Sequence, residues 1–94
     1  MGILSFLRRN RIDPEVKRRM ALSQFGRITE GTILDERPDR NIEFVYFIYS
    51  ANGADYESSD KLTAEQRADG ARYAPGAKVT VRYDPAQPGN SILV

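Results

Sequence analysis

The sequence predicts a mainly β fold: a small five-stranded bent sheet or partly closed barrel of the OB or SH3-like kind. An N-terminal helix precedes it, and one short helix precedes the fourth strand. Three observations carry this. Residues 42–50 (I-E-F-V-Y-F-I-Y-S) form a dense run of aromatic and β-branched residues, the side chains that suit a pleated, packed surface. Lys78 to Asp84 alternates cleanly, with Val79, Val81 and Tyr83 on one face and Lys78, Thr80 and Arg82 on the other, the period of a half-buried strand. Turn signals punctuate the chain, above all Asn52-Gly53, the pair that suits a two-residue hairpin.

The elements follow in order. Residues 1–24 read as a basic, partly apolar helical arm, and residues 25–94 as a small β-barrel-like domain. In the arm, Asp13 is a good N-cap and Pro14 stands at the first helical position, where proline's missing N–H costs nothing. Glu15 suits the positive end of the helix dipole. The helix should stop near Phe25-Gly26, and its apolar positions are few: Val16, Met20 and Leu22. Such a thin stripe predicts a helix lying on the surface of the body or against a partner. Arg27–Leu34 reads as the first strand, with Gly31 suggesting a bulge or bend, and Asp35–Asn41 as a turn. Ile42–Ser50, apolar on both faces, is expected as the central, doubly covered strand, and Ala54–Ser59 as its hairpin partner. Thr63 and Gln66 have capping-box spacing for a short helix closed by Gly70. Pro75-Gly76 is a turn, and Pro85 ends the fourth strand. Pro88-Gly89-Asn90 then leads to a last strand, Ser91–Val94.

Composition narrows the chemistry. The chain has 94 residues with no cysteine and no histidine. Disulfides and thiolate catalysis are excluded, and so are the commonest metal ligand and the usual acid–base group near neutral pH. The serines have no histidine to activate them, and a Ser-Lys pair with Lys61 would need unusual burial. Asp55, Glu57 and Asp60 are close in sequence, but a solvated hairpin edge explains them more simply than a catalytic pair. Residues 35–41 lack the glycine and terminal glutamate of a calcium loop. The residues therefore point to a protein that is not an enzyme, with no catalytic residues, cofactor, metal or small-molecule substrate inferred.

The segment Tyr73 to Leu93, Y-A-P-G-A-K-V-T-V-R-Y-D-P-A-Q-P-G-N-S-I-L, resembles the C-terminal signature Y-x-x-G-x-x-V-x-V-x-Y-D-P-x-x-P-x-x-S-x-L of the domain-of-unknown-function family 3592. Gly26–Leu34, and Val45–Asn52 with Tyr56, are similar to that family's earlier strands, so the resemblance spans about residues 26–94. It implies a compact β-domain and brings no catalytic or cofactor residues with it. Family members often carry transmembrane helices beside this domain, whereas no stretch here approaches the roughly 18 apolar residues a span needs. The signature also has a reading in plain physical terms. Gly76 allows tight entry to the strand, the three alternating apolar residues pack inward, and Asp84 accepts bonds from loop amides while Pro85 and Pro88 stiffen the exit.

Charge is uneven although its sum is only +1. Residues 1–20 hold six basic against two acidic residues, a net +4; the remainder holds eight against eleven, a net −3. The arm opens with Ile3, Leu4, Phe6 and Leu7, followed by Arg8, Arg9 and Arg11. Apolar before basic is the reverse of a secretory leader, and Phe6 stands where a myristoylation signal needs serine or threonine. The expected setting is cytoplasmic, with a membrane-peripheral variant. These seven residues are the candidate partner-binding set. The favoured function is a non-catalytic protein-interaction module, an accessory or small subunit of a larger assembly that docks by its arm into a groove on another protein. The alternative is peripheral attachment of the same arm to an anionic membrane surface. A further alternative is single-stranded nucleic-acid binding, in which Tyr46, Tyr49, Tyr56 and Tyr73 stack bases beside Arg82. The acidic body weighs against tracking phosphates, and most of these tyrosines are needed to fill a core without tryptophan.

Overall fold

In the computed structural model, residues 13–39 and 42–94 are described. Helix α1 (Pro14–Phe25) leads into strands β1 (Arg27–Asp39), β2 (Ile42–Ala51) and β3 (Ala54–Lys61). A short helix α2 (Ala64–Ala68) and a 3-10 turn (Gly70–Tyr73) then precede β4 (Lys78–Tyr83) and β5 (Ser91–Leu93). All strand pairs are antiparallel, in the order β3-β2-β1-β4-β5. The sheet curls into a half-barrel around a core of Ile33, Val45, Phe47, Tyr49, Val81 and Leu93, among others.

Local chemistry sets most of the boundaries. The Asp13 carboxylate accepts the Glu15 N–H at 2.8 Å, and Pro14 opens the helix. The helix ends as expected at Phe25, with the Gly26 N–H bonded to Leu22 O at 2.9 Å. Asn52 and Gly53 both have positive φ, 53° and 80°, as a primed turn requires, and they join β2 to β3 with Ala51 opposite Ala54. Thr63 and Gln66 make both bonds of the capping box. The α2 helix ends at Ala68, and Gly70 opens the following 3-10 turn instead of closing the helix.

Three further expectations are corrected. The segment Asp35–Asp39, expected as a turn, continues β1 and pairs with Ile42–Tyr46. The bulge falls between Ile33 and Asp35 rather than at Gly31. Gly31 matters for close packing instead. A Cβ there would stand 2.8 Å from Val81 Cγ2 and 3.1 Å from Ile48 O, so glycine lets β1 press against the core. Finally, β2 is neither the middle strand nor covered on both faces. The middle is β1, and on the outer face of β2 Tyr46 is exposed while Phe44 and Ile48 are only half-buried. Curling encloses one side of the sheet, and on the other these described residues of β2 stay at least partly open to solvent.

Helix α1 packs against β4 and β5. It buries Leu22, and on the outer side of β5 Ile92 is buried as well, whereas Leu93 faces the core. Among the described residues, no helix is long and apolar enough to cross a membrane.

Candidate functional site

The arm residues Ile3, Leu4, Phe6, Leu7, Arg8, Arg9 and Arg11 lie outside the described residues. What the structure does place is their root, α1, and the root is tied to the barrel by polar bonds. The Glu15 carboxylate takes both Arg18 Nε (2.9 Å) and Nη2 (2.7 Å). This guanidinium, through the bonds it donates, holds the Glu15 carboxyl below its ordinary pKa. Arg18 Nη1 reaches across to Asn90 Oδ1 at 2.7 Å and Ser91 O at 3.2 Å, pinning the helix to the β4–β5 loop.

The second pin is Arg19, whose Nη1 donates to Asp60 Oδ1 at 2.7 Å. The expectation of a solvated hairpin edge fails at Asp60, which is 8% exposed. Its place follows from alternation along β3, which turns Tyr56, Ser58 and Asp60 to the inside while Asp55, Glu57 and Ser59 face out. The carboxylate also accepts the Lys61 N–H at 2.9 Å and the Leu93 N–H at 3.0 Å. Since β3 and β5 are the two ends of the sheet, this one side chain bridges the seam that a backbone ladder would close in a full barrel. Three donors make its burial tolerable, because a buried charge must be paired and hydrogen-bonded.

Beside the seam, Glu15, Arg18, Arg19, Phe44, Asp60 and Lys61 border a groove of about 410 Å³. A smaller one of about 220 Å³, bordered by Ala21, Leu22, Phe25, Pro85 and Asn90, lies at the other end of α1. Facing outward from the helix are Val16 (49% exposed), Met20 (50%) and Phe25 (78%); Val16 and Met20 are four apart and share one side of it.

The aromatic set suggested for stacking bases is not brought together on one exposed face. Tyr49 and Tyr73 are buried. The Tyr49 ring packs against Phe47, Tyr56 and Tyr83 at centroid distances of 5.8, 5.9 and 6.1 Å. Its hydroxyl donates to Pro88 O at 2.5 Å, and burial pushes its pKa up. Tyr46 lies on the opposite, outer face, and Arg82 directs its Nη1 to Gly26 O at 3.0 Å. As the sequence suggested, Asp84 takes a loop amide, that of Ala86, at 2.8 Å. Among the described residues no three acidic side chains gather as a metal site would require.

Sequence reasoning missed Asp60, Arg18 and Arg19 as the fastenings of the site. A signal for Asp60 existed: it has the same parity as Tyr56 and Leu62, both of which are natural core residues. Nothing local marked Arg18 and Arg19 as fastenings, because the barrel groups they reach lie more than forty residues away in sequence.

A curled antiparallel five-stranded half-barrel, plugged by aromatic side chains and crossed at its seam by a pinned helix, defines the class: a small all-β domain with an accessory N-terminal helix. The chain belongs to the domain of unknown function family DUF3592, which it matches over residues 26–94. The match begins where α1 ends, so the helix and the arm lie outside the matched domain. No curated protein and no solved structure matches the chain.

Proposed function

We propose that the protein is a non-catalytic interaction module, an accessory or small subunit of a larger assembly, that docks a protein partner through its N-terminal arm. The observation that supports this reading is the rooting of α1. Arg18 and Arg19 fasten the helix to the β4–β5 loop and to the seam, so the start of the helix is a fixed point on the barrel. Two apolar side chains, Val16 and Met20, remain half-exposed beside that point, extending the arm's apolar character onto the helix. A partner groove would take Ile3, Leu4, Phe6 and Leu7, with Arg8, Arg9 and Arg11 on its rim. The barrel contributes orientation, which lowers the ordering cost of binding.

The test compares cross-linked partners of three forms in native cells: the full chain, a chain lacking residues 1–12, and Val16→Asp with Met20→Asp. Loss of one partner in the deletion and weakening in the double variant supports docking by the arm. The same partners recovered from all three forms would end the reading. Flotation with anionic liposomes that is lost in the deletion, with no protein partner recovered, would replace it with the membrane alternative.

A further inference from the structure

We propose that the outer edge of β3 is a strand-acceptor site for an extended, cationic peptide segment. Strand β3 is the last of the sheet: it pairs with β2 on one side, and among the described residues no strand pairs with the other. The register says which groups are free. The Leu62 N–H bonds to Glu43 O of the neighbouring strand segment, and the Lys61 N–H turns away to the Asp60 carboxylate. Alternation then directs the backbone N–H and C=O of Asp55, Glu57 and Ser59 to the open edge. At its Asp60 end the seam is satisfied from within the molecule, by Lys61 and Leu93 on one carboxylate. Among the described residues no backbone bond satisfies the edge from Asp55 to Ser59, and three ladder positions stand ready for a further strand.

The side chains around that edge specify the occupant. Asp55 and Glu57 are exposed on the outer face, two residues apart, the spacing of alternate side chains on one face of a strand. A second copy of β3 laid antiparallel would set acid beside acid, which is destabilising. Charged edges of this kind block self-pairing, yet the same two carboxylates match a segment with lysine or arginine at every second position. On the inner face Tyr56 is half-buried against the core and Ser58 is half-buried, so the intervening residues of the segment would be small or apolar. Main-chain bonds would supply affinity and the alternating cations selectivity. The inference is independent of the arm and of its partner.

The test uses the full chain, isotope-labelled, with a short amidated peptide of alternating lysine and valine, and its glutamate counterpart as control. The lysine peptide is expected to slow exchange of the Asp55, Glu57 and Ser59 amides, and the glutamate peptide to leave them unchanged. Asp55→Lys with Glu57→Lys, both exposed and outside the core, is expected to weaken the lysine peptide by about tenfold or more and to admit the glutamate peptide. The proposal fails if the lysine peptide leaves these amides unprotected, or if charge reversal does not change the preference. It fails equally if the amides are already protected in the chain alone, since the edge would then be occupied by the protein itself.

Discussion

At the scale of single residues the molecule turns on Asp60, because one carboxylate holds a helix, its own strand and the opposite end of the sheet. Asp60→Asn keeps one acceptor but removes the charge, leaving Arg19 its longer contact with Glu15 at 3.8 Å and one donor short of a partner. The expected loss is about 2–3 kcal/mol, read from urea unfolding. Arg19→Met should cost less than about half of that, since Arg19 is 30% exposed and Asp60 keeps both backbone donors. A second test concerns Tyr49. Its buried phenol has a raised pKa, so above the ordinary tyrosine value of about 10 the unfolded chain gives up a proton that the folded chain retains. Stability contributed by this group is therefore complete below that pH and falls as pH rises, until the folded phenol itself ionises. Unfolding midpoints measured from about pH 9 to about pH 11 should decline, and less steeply in Tyr49→Phe. Neither role is fully legible in the sequence. The inward parity of Tyr49 is, but Asp60 looks like its exposed neighbours Asp55 and Glu57. Its burial is created by β5, thirty-three residues further on.

Among the elements, those built by local rules are the legible ones. Asn52-Gly53, the Thr63–Gln66 box, Asp13-Pro14 and the alternation of Val79, Val81 and Tyr83 each act within a few residues, and each takes the form its residues announce. The length of β1 is hidden, because Asp35–Asp39 carries turn chemistry and is held extended by its pairing with β2. Gly31 stands out in the sequence, but its importance lies in close approach and not in a bulge. Gly31→Ala would drive a methyl into Val81 and Ile48 and is expected to cost about 1–3 kcal/mol, seen as a lower urea midpoint. Helix α1 is bound differently from the strands: one buried leucine and a few polar bonds hold it. Leu22→Ala should release it, so that amides of residues 17–25 exchange with solvent much faster while those of Phe47 and Val81 keep their protection. Glu15, whose carboxyl is held below its ordinary pKa by Arg18, adds to the hold above that range and ceases to as pH falls through it.

For the whole molecule, the fold class, the five strands and both helices are readable from hydrophobic pattern and turn residues. The candidate arm is readable only as chemistry, since its seven residues precede the described chain. The strand order β3-β2-β1-β4-β5 has one more consequence, for how the chain reaches this shape. Strands β1, β2 and β3 are consecutive neighbours, so their meander closes only short loops. By contrast β4 must come back to β1 across residues 62–77, and β5 arrives last. Loop-closure entropy thus favours a nucleus in the meander. In stopped-flow experiments Phe47→Leu should slow refolding, whereas Leu93→Ala should act chiefly by speeding unfolding. The seam joined by Asp60 would then be the final step of assembly and the first place where the native state comes apart.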